Sequence, residues 1–191
     1  MQKKMIITIA GKPGSGKSTA SKAIATELGY QHFSSGDLFR AIAKEKKIDL
    51  LTANFAAEQE SEIDHLVDKR LQDIGASEEQ VVIDSRLAWH WMPMSFKVYL
   101  DLDLRVAAER ILNALDPTRI DIEHIPESPA EYAGELQHRL DSEARRYKAL
   151  YDANPYDTRN YDLVVDTEKN SPEQVRDLIL DSYQQWLRDK G

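Results

Sequence analysis

The sequence predicts an α/β fold with three layers, in which a parallel β-sheet lies between two layers of helices. Two observations support this prediction. Apolar runs that are continuous rather than alternating recur along the 191 residues, as expected of strands buried on both faces. Stretches with the three-and-four apolar spacing of helices separate these runs.

Five strands are expected. Four are strong runs rich in Ile, Val and Leu, at residues 5–10, 81–84, 97–102 and 162–166. A weaker candidate, residues 30–33, lies between two helical stretches.

Helices are expected over residues 17–28, closed by Gly29, over 37–46 after a Ser-Ser-Gly cap, over 63–74, ended by Gly75, and over 104–115. The clearest start is that of the last helix, where Ser171, Pro172 and Gln174 form the pattern of a capping box with proline at the first helical position. Its apolar face is predicted to consist of Val175, Leu178, Ile179, Tyr183 and Trp186.

Residues 1–191 are expected to form a single domain with two insertions. Residues 35–80 and 112–146 depart from the alternation of strands and helices and have helical patterning. We expect both insertions at the carboxyl edge of the sheet, where open α/β folds bind their ligands.

Composition excludes several classes of function. The 25 Lys and Arg against 33 Asp and Glu give a net charge of −8, which argues against binding nucleic-acid polymers. The absence of cysteine excludes disulfides, thiolate metal sites and a cysteine nucleophile. The five histidines have no HxxxH or HExxH spacing, so we expect no metal site made of side chains alone. The apolar run near the start is too short for a signal or membrane segment, and a cytoplasmic protein is expected.

A phosphate-binding loop is predicted between the first strand and the first helix, because residues 11–18, GKPGSGKS, match GxxxxGK[ST] at every fixed position. The glycines let successive backbone N–H groups point into one concavity, and Lys17 would reach the outer phosphates. Ser18 would hold Mg²⁺. This context predicts a P-loop NTPase fold with a nucleotide-binding set consisting of Gly11, Lys12, Pro13, Gly14, Ser15, Gly16, Lys17, Ser18 and Thr19.

Asp84 closes the strand at 81–84 and is placed to hold a magnesium-bound water across from Ser18. The alternative is a strand-end aspartate that caps the following turn.

Phosphoryl transfer depends on positioning and charge neutralisation, which predicts arginines on the insertions. The sequence supplies Arg40, Arg86, Arg110, Arg119, Arg139, Arg145 and Arg146. The Asn-Lys-x-Asp stretch with which GTPases read guanine is absent.

Four motifs occur in the order typical of nucleoside monophosphate kinases: GKPGSGKST at 11–19, SSGDLFR at 34–40, DSRLA at 84–88 and SEARRYK at 142–148. The chain most resembles the compact archaeal-type branch of the cytidylate kinases, over nearly its whole length and least from about 112 to 137. The resemblance implies transfer of the γ-phosphoryl group of Mg·ATP to CMP or dCMP. It implies Mg²⁺ as cofactor, nucleotides as the only partners, no membrane and a monomer.

The resemblance also implies roles for single residues. Arg40 and Arg86 would grip the acceptor's α-phosphate, and Ser35 would contact its nucleoside. Arg139, Arg145 and Arg146 would stabilise the transferring group and help exclude water, with at least one of them only pairing with a nearby acid. Arg110 would stack on the donor adenine or, alternatively, pair with an acid on its own helix.

The residues that read the base are less defined. Leu87 stands where many bacterial cytidylate kinases have aspartate, so another residue must read the base. The candidates are Asp68, Arg70, His90, Trp89 and Trp91, with core packing as the alternative for the tryptophans.

Two other functions remain open from the sequence. One is a P-loop kinase for another small acceptor, such as AMP, UMP or a non-nucleotide alcohol. The other is a regulator that binds ATP without phosphorylating a metabolite.

Overall fold

The computed structural model describes residues 4–46, 62–114, 126 and 128–189. Within these ranges the five strands are β1 (Ile6–Gly11), β2 (Gln31–Ser34), β3 (Val81–Asp84), β4 (Phe96–Asp101) and β5 (Leu163–Asp166). The α-helices, numbered along the described chain, are α1 (Lys17–Leu28), α2 (Ser35–Glu45), α3 (Glu62–Ser77), α4 (Ala88–Trp91), α5 (Leu104–Ala114), α6 (Pro129–Tyr151) and α7 (Pro172–Arg188). A 3₁₀ turn covers Thr158–Asn160.

The five strands form one parallel sheet in the order β2-β3-β1-β4-β5. The chain crosses from β1 to β2 on one side and from β3 to β4 on the other, so β1 lies in the middle at the switch point. All six β1 residues are buried. The carboxyl ends of β3, β1 and β4 therefore meet at the edge where ligands of such sheets bind.

Both faces of the sheet are covered. On one face the core is built from Ile7 and Ile9 of β1, Ile24 of α1 and Ile179 and Tyr183 of α7. On the other face, Ile6 packs with Leu71 of α3, Ala88 of α4 and other residues of α2 and α3. The alternation of neighbouring β1 residues between two cores explains why the strand is apolar throughout.

The predicted strands are all confirmed, each shifted by one residue at most. α2 begins two residues earlier than expected, at Ser35. The prediction that Gly75 ends its helix is wrong, because α3 continues to Ser77. A Cβ at Gly75 would lie 2.7 Å from Cγ of Met92, so this glycine makes room for the methionine within the helix rather than ending it.

The capping box of α7 is confirmed, with Ser171 Oγ accepting from the Gln174 amide at 3.3 Å and Gln174 Oε1 accepting from the Ser171 amide at 2.8 Å. The predicted apolar face is wrong at one position. Leu178 is 42% exposed, whereas Ile179 is fully buried, because the buried stripe follows residues 175, 179 and 183 at four-residue intervals.

The helices of the two predicted insertions pack against their neighbours. α2 and α3, within 35–80, contact each other, and α6 packs on α5 through Ala107, Ala133 and Leu136. α6 extends to Tyr151, five residues past the predicted insertion boundary at 146. Residues 47–61 and 115–125 with Arg119 lie outside the described residues, and the division into one domain with two insertions stays a prediction. None of the helices in the described ranges is both long and apolar enough to cross a membrane.

Ile179→Ala is expected to lower the free energy of unfolding by about 3 kcal/mol, because it opens a cavity in the core between α7 and the sheet. Leu178→Ala, one residue away on the exposed side, is expected to change it by less than about 0.5 kcal/mol. Urea unfolding followed by circular dichroism measures both. Equal losses for the two variants would contradict the orientation of α7.

Candidate active site

The phosphate loop is shaped by three glycines between β1 and α1. Gly11, Gly14 and Gly16 have φ values of 152°, 69° and 80°, which side-chain-bearing residues rarely adopt. A Cβ on Gly11 would lie 2.3 Å from the Leu100 carbonyl oxygen of β4, and one on Gly14 would lie 3.1 Å from that of Ala107 in α5. The loop is therefore seated directly on β4 and α5 at Gly11 and Gly14, whereas at Gly16 it is the backbone conformation alone that favours glycine.

Lys17 spans the phosphate loop. Its Nζ donates to the carbonyl oxygens of Gly11 at 3.0 Å and Lys12 at 2.8 Å. Removal from water, and next the charge of Arg86, lower the pKa of Lys17 to about 7, while the charges of Asp84 and Glu143 act in the opposite direction. An anionic phosphate at this position would supply the negative charge that favours the ammonium form.

The rest of the loop is held by local contacts. Ser15 Oγ donates to the Lys12 carbonyl oxygen at 2.8 Å, and Lys12 Nζ lies 2.7 Å from Oδ1 of Asp101. Ser18 and Thr19, in the first turn of α1, are exposed and accessible to a ligand, whereas Pro13 is half-buried.

Asp84 fits the role of holding a cation-bound water. Its Oδ1 accepts from Ser34 Oγ at 3.4 Å. Its Oδ2 is buried without a hydrogen-bond partner and lies 3.5 Å from Nε2 of His32. Both contacts are with β2, so within the described chain this carboxylate does not cap the turn after β3.

No group of three or more His, Asp or Glu side chains that could hold a metal occurs among the described residues. A single hydroxyl such as that of Ser18, with a carboxylate oxygen that can still accept, suits Mg²⁺, which keeps most of its ligands as water and phosphate.

A cavity of about 650 Å³ opens beside the loop, between α2, α3 and α6 and the segment after β3. The sequence-predicted residues that line it are Ser35, Arg40, Asp68, Arg86, Arg139 and Arg146. The structure thus brings together residues from four separate chain segments, among them four of the predicted arginines, Arg40, Arg86, Arg139 and Arg146. We call this space the acceptor cavity.

Arg70 and Arg145 do not line the acceptor cavity. Arg70 is exposed on α3 and lies 3.8 Å from Oε2 of Glu45. Arg145 is exposed on α6 beside Arg146, which does line the cavity. The position of Arg70 does not support its predicted role in substrate binding, and that of Arg145 does not support its predicted role at the transferring group. Both roles stay predictions.

Arg40 is exposed at the mouth of the acceptor cavity, and its Nη2 pairs with Oδ1 of Asp37 one turn earlier. Gly36 lies beside the guanidinium, where a Cβ would make an ordinary van der Waals contact with Arg40 Nη1 at 3.5 Å. An exposed pair of this kind is weak, so a bound phosphate can replace Asp37 as partner.

Arg110 lies away from the acceptor cavity, on α5, where its Nη2 donates to the Thr167 carbonyl oxygen at 2.8 Å. It is one turn from Ala107 and next to Ile111, the α5 residues that lie against Gly14. It therefore lies on the donor side of the phosphate loop, as a contact with the donor base requires.

The aromatic candidates for base recognition pack with one another instead of lining the acceptor cavity. Trp91 lies 5.0 Å from Tyr151 and Trp89 lies 5.7 Å from Tyr161, ring centre to ring centre. His90 lies between the two tryptophans. The two tryptophans therefore pack against other aromatic rings, which is the alternative to base recognition that the sequence left open. Trp91 is linked to the cavity wall through Asp68, because its Nε1 donates to Asp68 Oδ1 at 3.3 Å.

Glu143 on α6 is the residue that sequence reasoning missed. Its side chain is only 10% exposed, with Oε2 lying 2.6 Å from Arg86 Nε and Oε1 accepting from Arg139 Nε at 3.1 Å. Tyr156 donates its hydroxyl to Oε2. The four-residue spacing of Arg139 and Glu143 was a signal for their pairing, but nothing in the sequence pointed to Arg86 or Tyr156 as partners.

The charges in this cluster hold one another in the ionised form. Burial opposes ionisation of Glu143, yet Arg86 first and Arg139 second hold the pKa of its carboxyl below the ordinary value. Glu143 likewise raises the pKa of Arg86 against the effect of burial. Because Arg86, Glu143 and Arg139 also act on the pKa of Lys17, the phosphate loop and the acceptor cavity share one electrostatic environment.

Glu143→Gln is expected to lower the free energy of unfolding by about 2 kcal/mol at neutral pH, because it leaves the half-buried Arg86 without its counter-charge. The depressed pKa of Glu143 contributes stability above the ordinary value of 4.5, and this contribution is lost as the pH falls through the lower native value. The difference between wild type and variant should therefore shrink below pH 4.5. Urea unfolding over a pH series measures it.

Asp152→Asn is the matched control. Asp152 directly follows α6 and pairs with Lys148 of that helix, but its side chain is 84% exposed, so solvent screens the pair. We expect no measurable difference from wild type over the same pH series. A pH-independent loss in Glu143→Gln would contradict the assignment of Glu143 as a buried, ionised carboxylate.

Comparison with solved structures supports the fold. The shikimate kinase of Aquifex aeolicus superposes with a TM-score of 0.61 at 20% identity, covering 94% of this chain and 96% of that one. A gluconokinase from Sinorhizobium meliloti superposes with a TM-score of 0.59 at 17% identity, covering 98% of this chain and 97% of that one. At these identities the likeness shows the P-loop kinase fold alone.

Comparison with known sequences is more specific. A family model described as an AAA domain matches residues 10–120, more than half of the chain. The cytidylate kinase of Halobacterium salinarum is 36% identical, covering 98% of this chain and 94% of the relative. The cytidylate kinase of Haloarcula marismortui is 39% identical, covering 97% of this chain and 92% of the relative. The cytidylate kinase of Methanothrix thermoacetophila is 37% identical, covering 85% of this chain and 88% of the relative. With the phosphate loop, the acceptor cavity and these relatives in agreement, the chain belongs to the cytidylate kinase family.

Proposed function

We propose that this chain transfers the γ-phosphoryl group of Mg·ATP to CMP or dCMP, giving ADP and CDP or dCDP. The observation that carries the proposal is the shared site: a phosphate loop with Lys17 adjoins an acceptor cavity lined by Arg40, Arg86, Arg139 and Arg146. Two anionic groups can thus be bound next to each other, as phosphoryl transfer between nucleotides requires.

On the donor side, the backbone N–H groups of the loop and Lys17 would bind the β- and γ-phosphates. Ser18 would hold Mg²⁺ directly and Asp84 would hold it through water, with Mg²⁺ neutralising charge on the phosphates when bound. Arg110, on the α5 turn against the loop, would contact the adenine.

On the acceptor side, Arg40 and Arg86 would bind the phosphate of CMP and Ser35 would contact its nucleoside. Asp68 is the candidate for reading the base, because its buried carboxylate lies on the cavity wall and is oriented by Trp91. A carboxylate accepts a hydrogen bond from the cytosine amino group, whereas uracil presents a carbonyl oxygen there, which a carboxylate repels.

Arg139 and Arg146 would stabilise the charge of the transferring phosphoryl group. We propose that the insertions 35–80 and 112–146 close over the bound nucleotides and keep water from the donor phosphate. Free nucleotides would be the partners of a cytoplasmic monomer, without a role for nucleic-acid polymers or membranes.

A panel of acceptors tests the function, with ADP release coupled to NADH oxidation. We expect CMP and dCMP to give kcat/KM values about a hundredfold above that of UMP, because a carboxylate facing the uracil carbonyl leaves both groups unpaired.

Lys17→Ala should abolish acceptor-dependent ADP release with an unchanged circular dichroism spectrum. Lys22→Ala, an exposed lysine on the same helix, should retain it. Preference for AMP, UMP or a non-nucleotide alcohol would overturn the proposal, as would ATP binding without acceptor-dependent release.

Arg40→Ala is expected to raise the KM for CMP about thirtyfold, the effect of losing charge-assisted hydrogen bonds to a phosphate. The KM for ATP should stay within about twofold, because Arg40 lines the acceptor cavity and makes no contact with the phosphate loop. Arg188→Ala should change neither value, because this exposed arginine near the end of α7 donates to Gln185 of the same helix. An unchanged KM for CMP in Arg40→Ala would remove Arg40 from the acceptor site.

A further inference from the structure

Tyr156 lies outside the acceptor cavity but contacts its charged cluster. It follows α6 along the chain and is half-buried, and its hydroxyl donates to Oε2 of Glu143. Its other surroundings belong to a second cavity of about 290 Å³ that is lined by Lys12 of the phosphate loop, Asp101 and Leu140. Its hydroxyl also interacts with the Arg86 guanidinium, so Tyr156 contacts both members of the Arg86–Glu143 ion pair from the side of the second cavity.

Glu143 controls the position of two arginines at once. Arg86 and Arg139 both approach its carboxylate with Nε, one at each oxygen. Both arginines line the acceptor cavity. Any rotation of the Glu143 carboxylate would shift both guanidinium groups relative to a phosphate bound there.

We propose that Tyr156 is a positioning residue for phosphoryl transfer. Its hydroxyl fixes the Glu143 carboxylate and, through it, the guanidinium group of Arg139, and it holds Arg86 both through Glu143 and by its own interaction with that guanidinium. The proposal rests on the proposed function for the identity of the group that these arginines bind. Tyr156 itself does not line the acceptor cavity.

A neutral donor is suited to this task. One carboxylate against two guanidinium groups leaves a net positive charge for a phosphate to neutralise. A lysine or arginine in place of Tyr156 would fix Glu143 too, but would add a charge that competes for the carboxylate. Burial, and next the charge of Glu143, raise the pKa of Tyr156, so its phenol keeps its proton and remains a donor throughout the physiological pH range.

The variant Tyr156→Phe tests the proposal, with Tyr161→Phe as its matched control. Tyr161 lies five residues later, and its hydroxyl donates to the Pro155 carbonyl oxygen at 2.6 Å rather than to a carboxylate. Both variants lose one hydroxyl and one hydrogen bond, so both are expected to lose similar stability. Only Tyr156→Phe is expected to raise the KM for CMP, by about fivefold, which corresponds to the net free energy of one hydrogen bond. The KM for ATP should stay unchanged in both variants. Equal KM values for CMP in the two variants would overturn the proposal.

A double-mutant cycle tests the path through Glu143. Glu143→Ala alone should weaken CMP binding, and adding Tyr156→Phe should then weaken it by less than Tyr156→Phe does in the wild type, because the carboxylate that Tyr156 fixes is gone and only its interaction with Arg86 is left. Titration calorimetry with CMP measures this even in a variant that has lost turnover. Additive losses would overturn the proposal, and the comparison of the two tyrosines decides it if Glu143→Ala does not fold. Acceptor-dependent ADP release by the wild type, measured alongside, tests the proposed function separately.

Discussion

The ion pair between Arg86 and Glu143 is the contact on which the rest of the site depends. Arg86 follows β3 at the sheet edge and Glu143 is on α6, so the pair joins the rigid sheet to the helix that carries Arg139 and Arg146. Burying two charges is costly unless each is well satisfied. Arg139 and Tyr156 satisfy the remaining capacity of Glu143, and this makes the pair tolerable inside the cleft.

Most of the fold could be predicted from the sequence because its signals are local. A strand buried on both faces is apolar throughout, and a capping box occupies four consecutive residues. The errors came from distant contacts. Gly75 looks like a helix end in the sequence, and only the position of Met92, from another segment, shows why glycine is needed within the helix.

In the candidate site, too, the features set by local sequence could be predicted and those set by distant contacts could not. The phosphate loop is one contiguous motif, so its residues and their geometry could be predicted together. Arg145 and Arg146 could not be separated by sequence, because neighbouring helix residues differ by about 100° in direction and the orientation of α6 is set by tertiary packing. The partners of Glu143 were beyond prediction for the same reason, since Arg86 and Tyr156 lie on different segments and meet only in the folded chain.

The sheet order has a consequence for how specificity can change. β1 and its loop are central, while the acceptor cavity is built from α2, α3 and α6, which lie outside the sheet. Substitutions in the cavity walls can therefore change the shape and charge of the cavity while the central strand and its loop keep their position in the sheet. The fold itself tolerates extensive sequence change, since it is shared with solved structures at less than 25% identity.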